Sequence, residues 1–308
     1  MLKDFPQHFW GTDIESELQI LSAIAAAEDA GKNGDITSSA LVPSDAGGAA
    51  AFHARQNGVI AGIAAVNTII AAVDKDLIWK PAMKDGTAVK SGDTIGTLIG
   101  SARTLLRAER LVLNFMSKLS GIATLTRQYA DAVAGTNAKI YDTRKTTPGW
   151  RLLEKYAVVC GGGHNHRTGL FDSVLIKDNH LAFGKSGKNN SSGQYTPAEA
   201  VQKAKEYVKS IGLQKTALIE IEVDTLEQLR GVLPENPDIV LLDNMKAEQI
   251  AEAVRIRNDV SPSVELEASG GVNLKTVRSI AETGIERISA GALTHSAVAL
   301  DIGLDWDF

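Results

Sequence analysis

The sequence predicts a two-domain α/β protein whose C-terminal half is an α/β barrel. Three observations predict it. From residue 138 onward, short apolar runs alternate with amphipathic segments, the alternation of a parallel βαβ sheet. The runs end in polar residues, as barrel strands do where they carry chemistry. The last four run ends, near 222, 243, 268 and 290, lie 21 to 25 residues apart. Six runs read as strands, which does not support a full eight-stranded barrel. An open doubly wound sheet is the competing architecture. Glycine turns after the last two strands favour the barrel.

Residues 14–30 read as a helix, with Ile14, Leu18, Leu21, Ile24 and Ala25 at helical spacing and Gly31 as the stop. Residues 34–38 read as a turn. Between 48 and 100, glycine-punctuated apolar runs at 48–53, 58–61, 77–79 and 94–99 read as strands around one helix at 62–73. Residues 101–119 and 121–135 read as two helices. The barrel strands are expected at 138–141, 173–176, 217–223, 238–242, 264–268 and 285–289. Helices are expected at 197–211, 225–232, 246–258 and 273–283. Residues 184–196, rich in Gly, Ser and Asn, read as a mobile surface loop.

Bulk composition narrows the function. The 308 residues are 44% hydrophobic and 22% charged, with a formal net charge of −5. That balance is globular, and it argues against a global attraction to nucleic acid or anionic membrane. No apolar run approaches the roughly 20 residues of a membrane span. The single cysteine, Cys160, permits no intrachain disulfide and is read as structural. With no signal peptide evident at the start, a cytoplasmic protein is expected.

Three groups of residues carry chemistry. Arg144, Lys145, His164, His166, Arg167 and Lys177 concentrate cations within 34 residues of an otherwise acidic chain. Several fixed cations at neighbouring strand ends suit a small polyanion, because Arg grips carboxylate or phosphate bidentately. The alternative is a solvated charge run. Glu220, Glu222 and Asp224 alternate along one strand and so share a face, and Glu265 and Glu267 repeat the pattern. Hard oxygen ligands at strand ends, Glu222 and Asp243 foremost, suit Mg²⁺. Salt bridging inside the barrel is the competing account of Glu220, Glu265 and Asp224. Finally, Ser269-Gly270-Gly271 and Ala290-Gly291-Ala292 each precede a helix, and successive glycine turns of this kind hold phosphate.

The segment from 141 to 180 resembles the quinolinate phosphoribosyltransferases. The resemblance rests on Asp142-Thr143-Arg144-Lys145-Thr146-Thr147-Pro148-Gly149, Glu154-Lys155-Tyr156-Ala157-Val158, Gly161-Gly162-Gly163-His164-Asn165-His166-Arg167 and Leu175-Ile176-Lys177-Asp178-Asn179-His180. It continues in Gly34-Asp35-Ile36-Thr37, Glu109-Arg110, Leu242-Asp243-Asn244-Met245, Glu267-Ala268-Ser269-Gly270-Gly271 and Gly291-Ala292-Leu293-Thr294-His295. It implies an open barrel of about seven strands at 121–295. An N-terminal α/β sandwich domain is implied at 1–120, with 296–308 a candidate addition to it. It implies transfer of phosphoribosyl from phosphoribosyl pyrophosphate to quinolinate, with Mg²⁺ and loss of CO₂. It also implies a homodimer, or an assembly of dimers, in which Arg110 enters the neighbouring site.

By the same resemblance Arg144, Lys145, His166, Arg167 and Lys177 meet quinolinate, with Thr143 beside them. Glu222 and Asp243 hold ribose and metal, and these two with Lys145 form the catalytic set. Ser269, Gly270, Gly271, Ala290, Gly291 and Ala292 hold phosphate, with Glu267 and His295 nearby. A related enzyme using nicotinate and a non-catalytic metabolite binder are the rivals. The stretch 80–93 has the look of a biotinyl or lipoyl carrier hairpin, but the Asp85-Gly86 turn directly after Lys84 argues for plain domain structure.

Overall fold

The computed structural model describes residues 4–184 and 193–307, so most of the loop expected at 184–196 lies outside the described residues. In chain order the first elements are α1 (Thr12–Ala30), α2 (Ile36–Leu41), β1 (Gly47–Ala54), β2 (Gly58–Val59), α3 (Val66–Ala71), β3 (Ile78–Pro81), β4 (Ala88–Val89), β5 (Thr94–Ser101) and α4 (Ala102–Ala132). There follow β6 (Lys139–Tyr141), α5 (Arg151–Cys160), β7 (Val174–Ile176), α6 (Asp178–Phe183), α7 (Pro197–Ser210), β8 (Ile219–Val223) and α8 (Leu226–Val232). The chain ends with β9 (Ile239–Asp243), α9 (Ala247–Val260), β10 (Glu265–Ser269), α10 (Val277–Ala281), β11 (Arg287–Ser289), α11 (Ala292–His295) and β12 (Ile302–Asp307).

The chain forms two compact units. One comprises Met1–Pro6, Tyr129–Arg144 and His164–Gly291, and the other Gln7–Gln128, Lys145–Gly163 and Ala292–Phe308. The sequence suggests a cut at 120/121. α4 runs unbroken through that point, where two helices are expected.

The first unit is built on a six-stranded parallel sheet in the order β6-β11-β10-β9-β8-β7. Taken as a ring, that is the order of the strands in sequence, the order of a barrel opened at one seam. A single parallel bridge between Tyr141 and His164 sits at the seam. It is all that forms of a seventh strand among the described residues. On β8 and β10 an apolar face alternates with an acidic one. On β8, Ile219, Ile221 and Val223 are buried on one face, while Glu220 and Glu222 point the other way. The register aligns Glu222, Leu241, Glu267 and Arg287 across four strands. Capping boxes start two of the covering helices, Thr196 with Glu199 for α7 and Thr225 with Gln228 for α8.

The start of the chain belongs to this unit. Phe5 is 3% exposed and packs with Tyr141, Leu218 and Ile239, while the Asp4 carboxylate accepts from Arg287 Nη1 at 3.1 Å.

The second unit holds a four-stranded antiparallel sheet, β12-β1-β5-β3, and a two-stranded ribbon of β2 and β4. The C-terminal strand β12 pairs with β1 from Ala49 to Ala54, so strands more than 240 residues apart share one sheet. The turn expected at 34–38 is the start of α2, whose Asp35 side chain accepts the Ser38 N–H at 2.9 Å. On α1, Ile14 and Leu18 are buried but Ile24 is 59% exposed. The buried stripe follows 14, 18 and 22, one face of the helix and narrower than the expected apolar set. The stretch 80–93 is fixed structure. The Asp85 carboxylate accepts from the N–H groups of Ile63 and Ala64 at 2.9 and 3.1 Å and from the Tyr156 hydroxyl at 2.7 Å. Burial, with Asp85 nearby, pushes the Cys160 thiol up to about 12, so it stays protonated and inert at neutral pH.

Gly121 explains why α4 can pass unbroken. A Cβ at this position would lie 2.2 Å from the Val298 carbonyl oxygen, so the helix accepts a poor helix former to let that backbone close in. Gly121→Ala gains about 1 kcal/mol of helix propensity but meets a backbone that cannot yield, at a cost of about 1–3 kcal/mol or more. Net destabilisation of up to about 2 kcal/mol is expected, read as a lower urea midpoint at unchanged slope.

Candidate active site

The barrel unit brings its chemistry to the carboxyl ends of its strands. Arg144 follows β6, Lys177 follows β7, Glu222 and Asp243 end β8 and β9, Ser269-Gly270-Gly271 closes β10, and Ala290-Gly291 follows β11. Six parallel strands with alternating faces place these groups on one rim.

The Asp142 carboxylate, fully buried, builds the cationic side. It accepts from Asn165 Nδ2 at 2.7 Å and from the His166 N–H at 2.8 Å, while its own N–H donates to the His164 carbonyl at 3.0 Å. Residues 164–167 are thereby locked beside β6. Arg167 is 7% exposed and donates to the Ser173 carbonyl at 3.3 Å. Burial, and then the neighbouring Arg144 guanidinium, lower the Arg167 pKa, with Glu220 and Asp172 opposing. Arg144 Nε is itself buried without a hydrogen-bond partner. A buried guanidinium beside a half-buried one with an unused donor suits an anion.

His166 is 5% exposed and both ring nitrogens are engaged. Nδ1 accepts the Arg167 N–H at 2.8 Å, so the proton of the neutral ring sits on Nε2. Nε2 lies 3.0 Å from Glu220 and 3.5 Å from Glu267. His166, Glu220 and Glu267 have the spacing of a metal site, but a metal on Nε2 would have to displace that proton. The cluster is better described as two buried carboxyls facing a neutral imidazole. Burial first, and then Glu220, push Glu267 up to about 7. The acid expected beside the phosphate is fully buried, level by register with Glu222.

On the acidic side, Lys177 forms an ion pair with Glu222. Asn244, with φ of 53°, donates from Nδ2 to Asp243 at 2.8 Å, and its N–H donates to the Ser269 carbonyl at 2.9 Å. Gly270, at φ 88°, lies so close that a Cβ there would fall 2.3 Å from Asn244 Oδ1. Asn244 thus couples the end of β9 to the glycine turn after β10, a role the sequence reading did not assign. Glu222 and Asp243 share the inner face of adjacent strands and are half-buried, hard-oxygen groups. They fit Mg²⁺, which takes one or two carboxylates and completes its shell with water and substrate oxygens.

Lys145, Ala292, His295 and Arg110 belong to the second unit. There the Thr294 hydroxyl donates to the Lys145 carbonyl at 2.8 Å, and Lys118 Nζ to the Thr294 carbonyl at 3.4 Å. Lys118 also lies 3.5 Å from Glu154, a fully buried acid that accepts from Thr147 N and Oγ1 at 3.1 and 2.7 Å. His295 Nδ1 lies 2.7 Å from the Ser296 hydroxyl. Arg110, exposed on α4, lines a cavity of about 300 Å³ with Asp29, Asp35 and Arg107.

The Glu267 carboxyl sets a pH dependence of stability. Between the ordinary carboxyl value of 4.5 and about 7, the folded chain holds a proton there that the unfolded chain has lost. The fold therefore loses stability as pH rises through that window, by up to about 3 kcal/mol. Glu267→Gln is expected to flatten the decline between pH 5 and 7, measured by urea unfolding at each pH.

This geometry has close counterparts. Residues 35–120 match the family model for the quinolinate phosphoribosyl transferase N-terminal domain, and residues 122–305 match that for the C-terminal domain. A Nicotiana tabacum protein named quinolinate phosphoribosyltransferase [decarboxylating] 1b is 42% identical over 294 residues, covering 94% of this chain and 83% of its own. The Mycobacterium leprae nicotinate-nucleotide pyrophosphorylase [carboxylating] is 42% identical over 276 residues, covering 88% and 90% of the two chains. The solved nicotinate-nucleotide pyrophosphorylase of Francisella tularensis superposes with a TM-score of 0.86 at 34% identity, over 99% of this chain and 100% of that one. Matched in both halves, at these identities and over nearly its whole length, the chain belongs to the quinolinate phosphoribosyltransferase family.

Proposed function

We propose that this protein transfers the phosphoribosyl group of phosphoribosyl pyrophosphate to quinolinate and decarboxylates the product. The products are nicotinate mononucleotide, pyrophosphate and CO₂, in the synthesis of NAD. The observation that carries this reading is the buried Arg167 with the half-buried Arg144 beside it. Two neighbouring positive charges in a partly dry site call for two negative charges, and quinolinate is a dianion.

Arg144 and Arg167 hold the acid so that its ring nitrogen faces the sugar carbon. The nitrogen lone pair forms the new C–N bond as the bond from carbon to pyrophosphate oxygen breaks. Glu222 and Asp243 lie where the sugar's developing positive charge would be stabilised. The backbone N–H groups of the turns at 269–271 and 290–292, with Lys145, receive phosphate oxygens. Glu222 and Asp243 would also hold Mg²⁺, which neutralises charge on departing pyrophosphate. Attack leaves the ring nitrogen cationic. The carboxyl at the adjacent carbon then leaves as CO₂, its bonding pair stays on that carbon beside the cation, and a proton replaces it. Arg144→Ala is expected to lower kcat/KM for quinolinate by about a hundredfold or more, because it leaves a substrate carboxylate unpaired. Near-normal turnover of a folded variant would overturn the assignment.

A homodimer in which Arg110 completes the neighbouring site is part of the proposal. Arg110→Ala mixed with Arg144→Ala is expected to regain activity through hybrid dimers carrying one intact site. No regain after proven subunit exchange would refute sharing. We also place the activity in the cytoplasm, testable by assaying cell fractions, although some plant relatives carry chloroplastic or mitochondrial in their names. The decisive assay follows release of CO₂ and nicotinate mononucleotide from quinolinate and phosphoribosyl pyrophosphate. It is run with and without Mg²⁺, with nicotinate as the control acceptor. Turnover of quinolinate but not nicotinate, abolished by chelation, is expected.

A further inference from the structure

We propose that Phe5 is a positioning residue for Arg167, acting through His166. Phe5 stands 161 positions before His166 and outside both stretches matched by the family models. Its ring stacks on the imidazole with centroids 4.2 Å apart and planes inclined by 25°. On the same ring, the Arg287 guanidinium lies 5.5 Å from the centroid, and Arg287 is held in turn by Asp4 at 3.1 Å and by Glu265. Phe5 is 3% exposed and packs with Tyr141, Leu218 and Ile239, so the ring has no room to turn away.

The consequence runs through the imidazole. Its Nδ1 receives the backbone N–H of Arg167 at 2.8 Å, and its Nε2 faces Glu220 at 3.0 Å. A half-turn of the ring would present carbon to that buried N–H and leave it without a partner, an arrangement folded chains avoid. A tilt would draw the Arg167 backbone with it. Side-chain packing against the flat face suppresses both movements, because stacked aromatic rings fix orientation as well as distance. The direction in which Arg167 presents its guanidinium is therefore set partly by a residue near the start of the chain.

This inference rests on the reading that Arg167 grips the acid substrate, and the experiment separates the two. Phe5→Leu and Phe5→Met keep most of the volume and lose the flat ring, and a pair of variants covers the failure of one to fold. Each is compared with the unaltered enzyme and with Arg167→Lys, varying quinolinate and phosphoribosyl pyrophosphate separately. In the Phe5 variants the quinolinate KM is expected to rise about fivefold, with kcat and the KM for phosphoribosyl pyrophosphate within about twofold of normal. The ¹⁵N resonances of His166 are expected to lose the single Nε2–H tautomer pattern. A merely structural role would lower thermal stability without splitting the two KM values. If both KM values stay normal or rise together while Arg167→Lys raises the quinolinate KM, the role of Phe5 is refuted. If Arg167→Lys leaves the quinolinate KM unchanged, the assignment of Arg167 falls and the inference falls with it.

Discussion

The inner face of the barrel must bury carboxylates in two layers, and the arrangement of the site follows from how each charge is balanced. Register puts Glu220 and Glu265 on either side of Ile239, and Glu222 and Glu267 on either side of Leu241. An unpaired buried carboxylate costs several kcal/mol. Each acid is met differently. Glu265 pairs with Arg287 and Glu222 with Lys177. Glu220 and Glu267 face an imidazole whose other nitrogen is committed to the backbone. That last pair has no full cation directed at it alone, and Glu267 responds by holding its proton up to about 7. Within one layer, Glu222 is half-buried and ion-paired, while Glu267 is fully buried and keeps its proton.

The second unit fixes the backbone at Lys145. The Lys145 carbonyl accepts from Thr294, and the residues just after it are held by Glu154. Lys118 touches both of these supports. Side chains at 118, 154 and 294 converge on residues 145–147. The Lys145 main chain is thereby anchored to α11.

Much of this was legible in the sequence because it rests on period and local chemistry. All six barrel strands fall within a few residues of their expected places, since each is an apolar run closed by a polar end. The rim residues follow from the same alternation. What was not legible depends on long-range packing. Gly121 reads as a helix break until the backbone at 298 is known to press on it. Asp35-Ile36-Thr37-Ser38 reads as a turn because a capping residue and a turn residue have the same chemistry. Asp142 and Asn165 were visible within the motif, but nothing local says that one accepts from the other. Phe5 carried no signal, because a lone aromatic near a terminus has no period to betray its burial.

Specificity for a dianion follows from the electrostatics of the arginine pair. Bringing Arg144 and Arg167 together in a desolvated site raises the energy of the empty pocket, as the lowered pKa of Arg167 records. A ligand with one carboxylate relieves one charge and must still tolerate the other, since a guanidinium does not shed its proton at neutral pH. A ligand with two relieves both, and its affinity includes the repulsion it removes. In the proposed reaction the second carboxylate is also the group that leaves. Once CO₂ has departed, one guanidinium again lacks its partner and the product is held less firmly than the substrate. In the proposed reaction, the same repulsion that would select quinolinate would also favour release of nicotinate mononucleotide.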